Sequence, residues 1–137
     1  VRAHDYLIDG GLDFSELDGR IAAMLDRSVP WLGPDDARRA RLGLHELLVN
    51  IRRHAYGGGA GPISIGLTAT TLGVTITATD WGTPLTATDR PSLPRLSETG
   101  GYGMTIIDSV FNEVEYVRIS GRNEWVLFLF APELAAR

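Results

Sequence analysis

The sequence predicts an α+β fold, a two-layer sandwich in which a mixed or antiparallel sheet carries helices on one face. Three observations predict it. Apolar residues recur at three- and four-residue steps in three segments, two of them consecutive. Alternating, β-branched segments come in adjacent pairs, the signature of hairpins rather than of parallel crossovers. The resulting order is strand, two helices, two strands, loop, helix, two strands, and 137 residues suit one domain with one core.

Taken in order, His4–Asp9 alternates enough for an opening strand, closed by Gly10 and Gly11. A helix is expected from Asp13 or Ser15, with Phe14, Leu17, Ile21, Met24 and Leu25 on one face, ended by Pro30 and Gly33. A second helix starts at Pro34, with Asp35 and Asp36 at its positive end, and its apolar face reads Ala37, Leu44, Leu47, Leu48, Ile51 and Ala55. After Gly57-Gly58-Gly59, "PISIGLTAT" and "LGVTITATD" form a strand pair turning around Thr71, Leu72 and Gly73. Trp81 to Gly101 holds Pro84, Pro91 and Pro94 and reads as a long loop, of the kind that is usually functional. "GMTIIDSVFNEV" is helical in period, and "EYVRIS" and "EWVLFLF" make a last hairpin over Gly121-Arg122-Asn123.

Composition narrows the chemistry. A net charge of -4 argues against nucleic acid as the main partner. No apolar run approaches the roughly 20 residues that span a bilayer, and no secretory leader is expected, so the expected location is the cytoplasm. Without cysteine there is no disulfide, thiolate metal site or cysteine nucleophile. All 13 basic residues are arginine, so a phosphate-binding lysine is excluded and phosphate must be met by glycines, arginines or a metal.

Three constellations remain. Glu46, Asn50 and His54 stand at four-residue steps, each about 40° further round the helix, and share one stripe. "DWG" places Asp80 at a strand end, where a carboxylate accepts hydrogen bonds from an exocyclic amine such as that of adenine. "GGYGMT" sets Gly100, Gly101 and Gly103 before a helix start, where backbone amides wrap an anion. Singly, each has an ordinary explanation: a solvated helix face, a turn, a flexible helix entry.

Together and in this order they resemble the Bergerat-fold (GHKL) ATPases, the superfamily of gyrase and the histidine kinases. "ELLVNIRRHAY" stands as the N box, "DWG" as the first glycine box and "GGYG" as the second. Within that superfamily "NIRRHAY" followed by "GMTIIDSVFNEVEY" resembles the bacterial anti-sigma-factor serine/threonine kinases, over about Tyr6 to Phe130. The resemblance implies the histidine-kinase-like ATPase fold with ATP and Mg²⁺ as cofactors. Asn50 would hold Mg²⁺, Asp80 would read the adenine amine and Glu46 would act on the attacking hydroxyl. Gly82 would let the chain approach the base, Gly101 and Gly103 would place amides at the phosphates with Thr105 nearby, and residues 83–100 would form a lid. His54 is explained as well by packing as by catalysis.

The chain departs from the pattern at Leu85, where the family often has phenylalanine, and at the bulky Trp81. It also has Glu98 and Thr99 where close relatives can present an arginine, with Arg90 and Arg95 further back, so the cation that meets the terminal phosphate is open. The resemblance further implies phosphorylation of an anti-anti-sigma (STAS) partner, sequestration of a sigma factor or other output protein, and a homodimer formed through the opening strand and first helix. A nucleotide-gated binding module without kinase activity and the ATP-binding domain of a histidine kinase are the alternatives.

Overall fold

The computed structural model describes residues 2–9, 13–69, 72–85 and 102–130. Its elements are β1 (Arg2–Asp9), α1 (Phe14–Ser28), α2 (Pro34–Ala55), β2 (Pro62–Ala69), β3 (Gly73–Asp80), α3 (Tyr102–Val110), β4 (Glu113–Ile119) and β5 (Arg122–Phe130). The strands lie in the order β1-β2-β3-β5-β4. Every pairing is antiparallel, which settles the choice between a mixed and an antiparallel sheet.

One face of the sheet is apolar because the strands alternate. Ile63, Ile65 and Leu67, Ile76 and Ala78, and Trp125, Leu127 and Leu129 are buried, while Ser64, Thr77 and Val126 between them are not. Leu17 and Ile21 of α1, Leu44, Leu47, Leu48 and Ile51 of α2, and Ile107 of α3 complete this core. No helix among the described residues is long and apolar enough to cross a membrane.

The helix ends follow local chemistry. Asp13 caps α1 by accepting from the Glu16 N–H at 2.8 Å. The helix stops at Ser28 because Val29 precedes proline, which disfavours the helical region, and Val29 sits at φ -136°. α2 begins on Pro34 and leaves its last turn through Gly57 and Gly58 at φ 60° and 86°. The Gly58 N–H reaches back to the Arg52 carbonyl at 2.8 Å, satisfying one of the helix's orphan acceptors.

Several boundaries differ from the sequence expectation, three of them with a visible cause. The third helix does not run to Val114: Asn112 donates its N–H to the Phe128 carbonyl and accepts from the Phe130 N–H, drawing the chain into the sheet. The last hairpin turns on Ser120 and Gly121, at φ 47° and 79°, the left-handed pair that a type I′ two-residue connection takes. Arg122 and Asn123 therefore belong to β5. Gly73 is not in the turn before β3 but in the strand opposite Phe130, where a Cβ would lie 2.1 Å from the Leu129 carbonyl oxygen.

α2 also carries α3. Gly43 leaves a notch filled by Phe111, and Arg39 donates to the Val110 carbonyl at 2.9 Å and to Asp36 at 3.1 Å. The helix holding Asn50 is thus packed against the helix holding Gly103 and Thr105.

Candidate functional site

Asn50 is 6% exposed on α2 and Asp80 is 1% exposed at the end of β3, and both line one small cleft. Ile51, His54, Ala55, Thr83, Leu85 and Trp125 form most of the remaining wall. Its volume is about 10 Å³, room for about one water molecule, against roughly 300–1,000 Å³ for usual small-molecule pockets. A heterocycle enters only if the cleft wall opens.

The two oxygens of Asp80 are treated differently. Oδ1 accepts from the Asn123 amide at 2.7 Å and from the Gly82 N–H at 3.0 Å. Oδ2 is buried and accepts from no group among the described residues. Burial pushes the Asp80 carboxyl above its ordinary range, and the bonds from Asn123 and Gly82 and the Arg118 charge only partly oppose it. An acceptor kept out of water without a donor costs roughly 1–3 kcal/mol. A ligand amine delivered to Oδ2 would recover that cost.

Asn123 fixes which oxygen is left over. It faces Asp80 directly across the β3–β5 register. Its amide also donates to the Thr83 carbonyl at 3.0 Å, and its own oxygen accepts from the Tyr116 hydroxyl and from Arg118. Tyr116 accepts from the Leu85 N–H at 3.0 Å and packs against Trp125 with ring centroids 5.0 Å apart. Arg118 donates to the Gly82 carbonyl at 2.7 Å. The β4–β5 hairpin therefore clasps residues 82–85 to the sheet and leaves Oδ2 as the Asp80 oxygen without a donor among the described residues.

Gly82 is required for another close approach. A Cβ there would lie 2.2 Å from the Ala55 carbonyl oxygen, an acceptor already taken by the Thr83 N–H at 2.8 Å. Tyr56 fastens the same corner: its hydroxyl donates to the Pro62 carbonyl at 2.6 Å and accepts from the Trp81 N–H at 3.0 Å. Burial pushes its phenol up, so it remains a donor. The end of α2 is thereby tied to the start of β2 and the loop after β3.

Of the sequence-selected residues, Asn50, His54 and Asp80 meet at the cleft and Gly82 adjoins it. Glu46 lies one turn before Asn50 and lines a separate open groove with Asp18, Arg38, Arg41, Leu42 and His45. α3 begins at Tyr102, so Gly103, expected before the helix start, instead lies inside its first turn, with Thr105 following in the same helix. Gly101, Arg90, Arg95, Glu98, Thr99 and most of the proposed lid lie outside the described residues. Sequence reading missed Asn123, Tyr116, Arg118 and Tyr56. The available signal for Asn123 was an asparagine, disfavoured in strands, directly before the run Glu124–Phe130.

At the cleft Asn50 has a side-chain oxygen of the type that Mg²⁺ takes. No cluster of three histidine, aspartate or glutamate side chains that could hold a metal occurs among the described residues, but Mg²⁺ commonly takes one or two protein oxygens and completes its shell with phosphates and water. No curated protein matches the sequence. The family model described as a histidine kinase-like ATPase domain matches residues 18–129, a span that includes Asn50, Asp80 and every element from α2 onward. With four-fifths of its length matched and the α+β architecture in place, the chain belongs to the histidine kinase-like ATPase domain family.

Proposed function

We propose that this domain is an ATP-dependent serine/threonine protein kinase of the anti-sigma type. It would phosphorylate an anti-anti-sigma (STAS) partner and, in its other state, hold a sigma factor or another output protein. The observation that carries the nucleotide half is Asp80 Oδ2, a buried acceptor with no donor among the described residues, in the cleft that Asn50 also lines. The kinase half rests on the resemblance of "NIRRHAY" and "GMTIIDSVFNEVEY" and on Glu46.

In this reading the cleft opens to admit adenine, with its exocyclic amine on Asp80 Oδ2, and the phosphates extend past Asn50 toward α3. Bound Mg²⁺, held by Asn50, would offset phosphate charge. Glu46 is about 6 Å along the helix axis from Asn50 (four residues at 1.5 Å each), beyond the base and toward the open groove. There it takes the proton of a serine or threonine hydroxyl as that oxygen bonds to the terminal phosphorus. The bond from phosphorus to the bridging oxygen breaks, and ADP leaves with the electron pair. The phosphate placed on the partner adds about -1.5 to -2 charge and dissociates the complex by repulsion.

The test is phosphoryl transfer from labelled ATP to purified STAS-domain proteins. Transfer abolished by Glu46→Gln, with ATP binding retained, supports the kinase. ATP binding and partner binding without transfer would favour the nucleotide-gated module instead.

A further inference from the structure

The row of four-residue steps that includes Glu46, Asn50 and His54 extends backward through Leu42 to Arg38. Each step turns the row about 40° round the helix, and burial changes along it. Arg38 is exposed, Leu42 is 48% exposed, Glu46 is intermediate and Asn50 is 6% exposed. One row of residues therefore runs from the outer surface of α2 to the cleft, with Glu46 of the groove one turn from Asn50 of the cleft. Beside its outer half lies an open groove of about 510 Å³ whose other wall is Asp18 of α1.

The charges in that groove are unequally satisfied. Asp18 is bonded to His45 Nδ1 at 2.7 Å, and Arg38 is paired with Asp35. Arg41 lines the groove without an ion pair or hydrogen bond to any described residue. The groove thus offers a guanidinium with no ion pair among the described residues, the exposed apolar Leu42, the Asp18 carboxylate bonded to His45 and the Glu46 carboxylate.

We propose that this α1–α2 groove docks the acceptor segment of a protein substrate, with Arg41 reading an aspartate or glutamate near the hydroxyl that Glu46 deprotonates. The proposal rests on the kinase reading and deepens it by naming the substrate class: a serine or threonine flanked by an acidic residue. Arg41 is a docking residue and touches neither nucleotide nor the reacting atoms. A guanidinium suits the task because its planar fork meets a carboxylate through two parallel hydrogen bonds.

The test uses the full chain and a STAS-domain substrate carrying an acidic residue beside its acceptor hydroxyl, together with that substrate's Asp→Asn or Glu→Gln form. Arg41→Glu should raise KM for the acidic substrate about tenfold, since it replaces an attractive contact by a repulsive one. It should leave kcat within about twofold, and a substrate with arginine at the acidic position should recover much of the loss, as expected for a pairwise contact. Equal KM for acidic and amide substrates, or an Arg41→Glu effect that the reversed substrate does not rescue, would overturn the docking role. Failure of the wild-type chain to bind ATP or to phosphorylate either substrate would instead overturn the kinase reading, and the docking proposal with it.

Discussion

Replacing Asp80 by asparagine separates a ligand-reading role from a structural one. The substitution keeps an oxygen for Asn123 and Gly82, whose donors face Oδ1 at 2.7 and 3.0 Å. Those donors prevent the amide from flipping, so its NH₂ must occupy the Oδ2 position. An adenine amine then meets a donor. The loss is a charge-assisted hydrogen bond, roughly 1.5–3 kcal/mol, plus an unsatisfied buried donor at roughly 1–3 kcal/mol. Their sum weakens ATP binding by about 10²-fold or more. The free protein should be as stable as wild type or more so, because a buried charge has gone.

The pH dependence has a definite sign. Burial raises the folded-state pKa of Asp80, so the folded protein binds more protons than the unfolded chain between the ordinary carboxylate value and the raised one. Asp80 therefore removes stability as pH rises through that window, and the advantage of Asp80→Asn should grow across it. ATP affinity of the wild type should fall on acidification through the raised pKa. Calorimetric titration with ATP and urea unfolding at several pH values read both effects. Wild-type ATP affinity in Asp80→Asn, or a loss of several kcal/mol in its stability, would refute the assignment.

Other substitutions follow from the same contacts. Asn50→Ala should remove the Mg²⁺ dependence of ATP affinity while leaving adenosine binding nearly unchanged, as checked by paired titrations with and without Mg²⁺. Gly82→Ala forces a Cβ to 2.2 Å from the Ala55 oxygen, where only backbone can yield; overpacking of this kind costs about 1–3 kcal/mol, measurable by urea unfolding. Gly43→Ala gains up to about 1 kcal/mol of helix propensity but meets Phe111 at 2.5 Å, so the net change in melting temperature should be downward. Tyr56→Phe removes the hydrogen bonds to Pro62 and Trp81, costing about 1–3 kcal/mol and lowering the urea midpoint.

The fold was legible where periodicity and caps agreed. Pro34, the two aspartates after it and the paired glycines after Tyr56 bound α2 from the sequence, and alternation set the buried faces of β2 and β3. Boundaries failed where one polar side chain overrode period. Asn112 bonds into the sheet and ends the apolar run of α3 early, and the left-handed pair Ser120 and Gly121 moves Asn123 out of the turn. At the site, Asn50 and Asp80 could be selected because their motifs are local. Asn123, Tyr116 and Tyr56 could not, since their roles come from partners that only strand register and helix placement bring near. Gly82 was read as clearance for a ligand, yet the clearance seen is for the Ala55 backbone.

The central claim is that the Asp80–Asn50 cleft reads adenine and its phosphates with Mg²⁺. Equilibrium titration of the protein with ATP and with GTP, each with and without Mg²⁺, tests it directly. ATP should bind saturably and more tightly with Mg²⁺, and GTP at least about tenfold more weakly, because guanine presents a carbonyl oxygen to Asp80 Oδ2 where adenine presents a donor. Equal affinity for the two nucleotides, or none for ATP, would contradict it.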